Sequence, residues 1–219
     1  SPVWVYAEHR GGKIAGVTLE LIGAATQLAQ KLNTRVGVVL VGDHVESMGS
    51  QLIEAGADSV YLIDNPVFHH YRTEAYMQAV CYLVRKYKPD VFLMGATTTG
   101  RDLAGAVATE LQTGLTADCT GLEIDSNKKI LLQTRPAFGG NIMATIITPH
   151  HRPQMATVRH KVMPEAELDK SRKGQVIKEA FTNEELLSRS KLIDIIQELT
   201  TTANLSEADI IVSGGRGLR

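Results

Sequence analysis

The sequence predicts an α/β chain in which a parallel sheet with helices on its faces is followed by a β-rich extension. Three observations predict it. Short runs of Val, Leu and Ile alternate with longer stretches of helical periodicity up to residue 111. Beyond residue 114 strand-like segments follow one another without long helices. Two glycine-rich stretches, Phe138-Gly139-Gly140-Asn141 and Ser213-Gly214-Gly215-Arg216-Gly217, each follow an apolar run, and glycine lets backbone approach a ligand closely.

Residues 2–7 read as a first buried strand, because Val3, Trp4, Val5 and Tyr6 form a β-favouring run. Residues 8–13, with Gly11 and Gly12, form a loop at its carboxyl end. Leu19, Ile22, Leu28 and Leu32 recur near a 3.6 period and predict a helix over 18–32. Residues 35–41 form a second strand of continuous Val and Leu, the pattern of a strand buried on both faces. A short helix over 47–55 ends at Gly56. A third strand covers 59–63, a helix covers 73–87 and stops before Pro89, and a fourth strand covers 90–96. A further helix is expected over 103–111, then a turn-rich loop over 114–121. Strands follow at 122–125, 129–134, 141–147 and 155–158, with Ser126 and Asn127 at a hairpin turn. Residues 162–202 read as a connector, highly charged over 165–174, and 188–198 suits a strand or a short helix, the strand being favoured. Ile210-Ile211-Val212 predicts a buried strand entering a glycine loop, which implies a second α/β domain continuing beyond it. The expected organisation is thus an α/β domain over 1–164, a connector arm over 165–203 and the start of a second domain over 204–219.

Composition narrows the class. Hydrophobic residues make up 43% and charged residues 21% of 219 residues, so a packed core is expected. A formal net charge of -1 argues against a strongly basic nucleic-acid binder. Cys81 and Cys119 make neither a disulfide framework nor a metal cluster, which points to a reducing, cytoplasmic setting. No apolar run approaches the roughly eighteen residues needed to span a bilayer. Ser1 rather than Met opens the chain, the pattern of a processed chain or one cut from a longer protein.

Three stretches are candidates for function. Arg135 and Pro136 precede Gly139, Gly140 and Asn141 between two strands. Proline biases Arg135 to extended backbone, and a guanidinium beside glycine amides can hold an anion or an electron-rich ring. The plain alternative is a hairpin turn that contains an arginine. Residues 95–102 carry Thr97, Thr98, Thr99 and Gly100 at a helix start. They form either a phosphate cradle or a hydroxyl cap in which Thr98 or Thr99 caps and Asp102 favours the first turn. His69-His70 and His150-His151 are adjacent pairs whose members point apart on extended chain, so surface histidines are the expectation. His151 and Arg152 follow the hairpin strand and are candidates to lie near the same face as Arg135. Cys81 is expected in the core, and Cys119 has no evident base partner for catalysis.

Four runs together carry a resemblance: Thr-Thr-Thr-Gly-Arg-Asp-Leu-Ala at 97–104, Thr-Gly-Leu-Thr-Ala-Asp-Cys-Thr-Gly-Leu at 113–122, Thr-Arg-Pro-Ala-Phe-Gly-Gly-Asn at 134–141 and Ser-Gly-Gly-Arg-Gly-Leu at 213–218. In identity and order the chain resembles the α subunits of electron-transfer flavoproteins. The resemblance implies an adenine-nucleotide α-hydrolase-like, Rossmann-like first domain, then the first strand of a flavodoxin- or Rossmann-like FAD domain. It implies a heterodimer with a β subunit, with one FAD in the α subunit's second domain and a second FAD or AMP in the β subunit. The partners implied are an acyl-CoA dehydrogenase and, for the electron-bifurcating branch that the Arg-Pro-Ala-Phe-Gly-Gly-Asn run looks like, NADH and ferredoxin. No catalytic or metal-ligating residue is implied; the chain would be an electron-carrier subunit, redox-active only with its β subunit and FAD. Arg216, flanked by Gly214, Gly215 and Gly217, matches a family arginine that contacts FAD. Arg135, with Gly139, Gly140 and Asn141, is carried over as a neighbour of the β-subunit flavin. A cation about 4 Å from a reduced, anionic ring at an effective dielectric near 20 contributes roughly 4 kcal/mol, on the order of 170 mV for one electron before screening. The competing reading is a stand-alone nucleotide-binding module that uses residues 97–102 for phosphate.

Overall fold

The computed structural model describes residues 1–137, 142–181, 188–194, 208 and 210–218. Its elements in chain order are β1 (Val3–Tyr6), β2 (His9–Arg10), β3 (Lys13–Ile14), α1 (Gly16–Leu32), β4 (Val36–Gly42), α2 (Gly49–Glu54), β5 (Ser59–Asp64), α3 (Thr73–Tyr87), β6 (Val91–Gly95) and α4 (Thr98–Leu111). β7 (Leu115–Cys119), β8 (Gly121–Asp125), β9 (Ile130–Pro136), β10 (Met143–Ile146), β11 (Gln154–Val158) and β12 (Gln175–Lys178) follow. Seven strands make one sheet in the order β12-β5-β4-β1-β6-β11-β7, and all its pairings are parallel.

The Val and Leu runs form central strands because both sheet faces are covered. Val3 and Val5 pack with Leu21, Ile22 and Leu28 of α1 and Leu52 of α2 on one side. Trp4 and Tyr6 pack with Ala79 and Leu83 of α3 and Leu103 and Val107 of α4 on the other. Burying both faces removes apolar area that a half-exposed strand would leave in water. The order reverses beside β1: β1 leads through α1 to β4, whereas α3 carries the chain back across to β6. The β1/β6 boundary is therefore the switch point at which such sheets open toward ligands.

Trp4, Tyr61 and Tyr87 stack across the sheet, with Trp4 and Tyr61 ring centroids 4.5 Å apart and Tyr61 and Tyr87 4.4 Å apart. Gly37 of β4 makes this possible, since a methyl group there would overlap the Trp4 indole and come within 2.9 Å of Tyr61.

Several expectations are corrected. The loop over 8–13 is a tight β2–β3 hairpin. α4 begins at Thr98 with Thr97 as its cap, rather than at 103 with Thr98 or Thr99 capping, because the Thr97 hydroxyl accepts the Gly100 amide at 2.9 Å; Asp102 lies past the first turn. The turn-rich stretch over 114–121 contains β7, whose pairing with β11 shifts register between Ala156 and Val158. The strand at 155–158 belongs to the main sheet as β11, buried along its length, and only β8, β9 and β10 form the antiparallel extension. The connector contributes β12, an edge strand parallel to β5. Of the strand expected over 188–198, residues 188–194 have no regular structure and the rest lie outside the described residues. Ile210 and Val212, whose burial is expected from a second domain continuing past this chain, are 85% and 95% exposed, and no described strand pairs with them.

β12 is clamped by Glu179, just past its end. The carboxylate accepts Lys86 Nζ at 2.7 and 2.8 Å, Tyr82 OH at 3.2 Å and the Tyr87 hydroxyl. Lys86 first, then Tyr87, holds this carboxyl below the usual carboxylate range near pH 4.5. A depressed folded-state value means the contribution is complete above that range and is lost as pH falls through the lowered value. Glu179→Gln is therefore expected to lower Tm at pH 7 by roughly 2–4 °C, for about 1 kcal/mol. The gap to the parent should narrow as pH falls through the lowered carboxyl value in thermal melts, and a pH-independent gap contradicts the clamp. Gly37→Ala is expected to cost about 1–3 kcal/mol through overpacking, read as a lower urea midpoint with an unchanged slope.

Candidate functional site

The antiparallel extension leaves the main sheet at β7 and re-enters it at β11, its neighbour. The Arg159 amide donates to the Cys119 carbonyl at 3.0 Å and the Thr120 amide to the Thr134 carbonyl at 2.9 Å. Both ends of the excursion are thus tied to the carboxyl end of the sheet. β9 pairs antiparallel with β8 and β10, and Arg135 stands opposite Ala144. Arg135 is half-buried. Its Nε donates a long hydrogen bond of 3.4 Å to the Pro136 carbonyl. Among the described residues no carboxylate pairs with its guanidinium.

The strand beyond it is unusual for a surface. β10 is the outer strand of its sheet, and Ile142, Met143, Ile146 and Ile147 are 65%, 55%, 39% and 46% exposed. An unpaired strand edge with exposed apolar side chains is a template for another chain. Gly139, Gly140 and Asn141, the glycine end of the motif, lie outside the described residues.

The structure adds residues that sequence patterning missed. Arg101 of α4 places Nη2 2.8 Å from Asp118 Oδ1 at the end of β7. Arg159, exposed, begins the chain after β11 at the same end of the sheet. Gln133 is fully buried on the same face of β9 as Arg135, and neither polar atom of its amide has a partner among the described residues. Arg101 and Asp118 stood inside motif runs; only the fold brings them together. Cys119 follows Asp118 at the end of β7, next to the Thr120–Thr134 backbone bond beside Arg135. Burial pushes its thiol up to about 12, with the Arg135 charge opposing and Asp118 adding to the rise.

Other candidates resolve differently. Arg152 pairs with Asp90 at the amino end of the sheet, where β6 begins. The alignment of Gln154 with Val91 and of Val158 with Gly95 places Arg152 and Arg159 at opposite ends of β11, so Arg152 is not beside Arg135. His69 and His44 each put Nδ1 2.7 Å from an oxygen of Asp43, and the His69 and His70 rings meet edge to face at 4.4 Å instead of pointing apart. No group of three or more His, Cys, Asp or Glu side chains among the described residues is arranged to hold a metal. Gly214, Gly215, Arg216 and Gly217 are exposed in a short turn closed by the Leu218 amide on the Gly215 carbonyl. No described hydrogen bond joins that turn to the β9–β10 hairpin.

The switch point is filled by the chain itself. The Thr97 hydroxyl donates to Glu8 Oε2 at 2.7 Å, and Val17, 7% exposed, closes over Gly95. Burial raises the Glu8 carboxyl, partly offset by the Thr97 hydrogen bond. A carboxylate at this helix start repels phosphate, and the Gly100 amide is already engaged by Thr97. Residues 97–102 are therefore a capped helix start and not an open nucleotide cradle.

For flavin, the described residues fit one rim of the group. Arg135 offers an unpaired cation beside apolar surface, suited to the ring edge. The turn at 214–217 offers amides but no second wall among the described residues.

A model of the electron transfer flavoprotein domain family matches residues 3–184. The chain is 54% identical over 217 residues to the electron transfer flavoprotein subunit alpha of Thermoanaerobacterium thermosaccharolyticum, covering 99% of this chain and 65% of that protein. It is 44% identical to the subunit of the same name from Megasphaera elsdenii, covering 99% of this chain and 64% of that one. It is 39% identical to the acryloyl-CoA reductase electron transfer subunit beta of Anaerotignum propionicum, covering 99% and 65%. The chain thus spans just under two thirds of these relatives' lengths.

Cys81 and Cys119 are both buried, and burial pushes both thiols up to about 12. Little thiolate exists at pH 8, so iodoacetamide is expected to leave both unmodified in the folded chain and to label both in urea. Rapid native labelling of Cys119, followed by mass spectrometry, contradicts the site as described.

Proposed function

The chain belongs to the electron transfer flavoprotein domain family, and we propose that it serves as the α subunit of a heterodimeric electron carrier, seating one rim of a flavin held mainly by its β subunit. One observation carries this reading: Arg135, a guanidinium without a carboxylate partner among the described residues, lies in the same hairpin as an unpaired, apolar edge strand. The strand calls for a protein surface, and the cation calls for an anion within it.

Flavin, when bound, supplies the ring that stores and releases electrons. The residues of this chain supply environment. Arg135 places fixed positive charge where a reduced ring gains negative charge, and it performs no bond chemistry. β10 supplies apolar surface that keeps water from the contact, which strengthens that charge interaction. Gly139, Gly140 and Asn141 complete the loop next to Arg135 in this reading. Residues 204–219 open a second domain, and there Gly214, Gly215, Arg216 and Gly217 meet the FAD of the α subunit.

Electrons pass between NADH or another donor and an acyl-CoA dehydrogenase, with ferredoxin as the second acceptor of a bifurcating reaction. The acyl-CoA side draws support from the relative described as an acryloyl-CoA reductase electron transfer subunit. The second cofactor, in the β subunit, is FAD in the bifurcating form and AMP in the simple carrier.

The test is Arg135→Ala in the purified heterodimer. Loss of the cation disfavours the reduced ring, so the β-flavin potential is expected to fall by tens of millivolts, below the bound of about 170 mV. An unchanged potential in spectroelectrochemistry contradicts the role of Arg135.

A further inference from the structure

We propose that Arg101 and Asp118 form a charge-setting pair beside Arg135, so that Asp118, through its hold on Arg101, tunes the affinity of this face for an anionic group. The inference rests on the reading of Arg135 as the seat of a partner-held flavin. Neither residue touches the cofactor in this account; both are positioning residues.

The geometry is specific. Arg101 leaves the first turns of α4 and meets Asp118 at 2.8 Å, with the two side chains 55% and 22% exposed. The contact is an ion pair without an aligned hydrogen bond, so it acts through charge rather than through a directed bond. Asp118 does not sit there by chance of side-chain rotation. Its backbone is left-handed, with φ at 61°. It lies where β7 shifts register against β11, and its amide donates to the hydroxyl of Thr157, which is 1% exposed, at 3.0 Å. The main chain is thus fixed from the core so that the carboxylate faces Arg101.

The pair is close enough to matter. The Thr120 amide bonds the Thr134 carbonyl, which sets Asp118 and Arg135 each within two residues of one backbone contact, and the Cys119 thiol beside it feels both charges. Arg159, whose amide bonds the Cys119 carbonyl, adds a third guanidinium to this end of the sheet. At this end of the sheet Asp118 is the carboxylate that meets Arg101. The ion pair therefore withholds part of a positive field that would otherwise act in full on a bound anion.

Two substitutions separate this from a merely structural role because they move the field in opposite directions. Asp118→Asn keeps size and tolerates left-handed backbone while removing the negative charge. Arg101→Gln removes a positive charge. In the flavin-loaded heterodimer, the first is expected to raise and the second to lower the preference for reduced over oxidised β-flavin, each by about threefold or more. Threefold corresponds to roughly 28 mV for one electron. Both shifts should shrink as salt rises, since the pair is partly exposed. The same order is expected for inorganic phosphate titrated onto the chain alone and followed at the Arg135 Nε–H by NMR, with Asp118→Asn tighter than the parent and Arg101→Gln weaker. Shifts of the same sign, or none while Arg135→Ala still moves the potential, overturn the pair and leave the Arg135 reading standing. Opposite shifts with no effect of Arg135→Ala support the pair and remove Arg135 from the seat.

Discussion

The placement of β11 between β6 and β7 is the constraint on which the rest of this structure depends. The chain leaves the parallel sheet after β7, builds three antiparallel strands, and returns to the slot next to the one it left. That return pins the excursion at both ends through the Thr120–Thr134 and Arg159–Cys119 backbone bonds. A hairpin held at one end only would swing. Held at both, it sets Arg135 near Cys119 and leaves β10 as an outer strand among the described residues. The packing of β11 is strict because all five of its residues are buried, so a slip of one residue would turn every side chain to the wrong face.

The two ends of this sheet do different work. At the amino end Arg152 is consumed by Asp90. At the carboxyl end Arg101 meets Asp118, and Arg135 has no carboxylate partner among the described residues. The switch point, where comparable sheets take ligands, is closed by Glu8, Thr97 and Val17. Arg135, without a carboxylate partner among the described residues, lies instead in the hairpin that follows β7.

Much of the fold was legible in the sequence, for a physical reason. The strands rich in Val and Leu announce themselves because burial on both faces leaves no polar alternation. Helix α3 was bounded at Thr73 and Tyr87 by its own periodicity and by the proline that follows. β7 was not legible: Leu-Thr-Ala-Asp-Cys is a weak strand former, and its ladder with β11 depends on a partner about forty residues away that no local signal reveals. β12 was hidden in a charged stretch because Glu179, Lys86 and two tyrosines stabilise it through contacts made only in the fold. Of the site, Arg135 could be singled out from its proline and glycines. Arg101, Asp118 and Gln133 could not, since a salt bridge across a register shift and an unpartnered buried amide are properties of three dimensions.

The central claim is that the β9–β10 hairpin is the surface that meets a flavin-bearing β subunit. Hydrogen–deuterium exchange of this chain, alone and in the flavin-loaded heterodimer, tests it most directly. The account predicts strong added protection of Ile130–Pro136 and Met143–Ile146, with little change across α3. Protection confined to α3 and α4, with the hairpin exchanging as in the free chain, would contradict it.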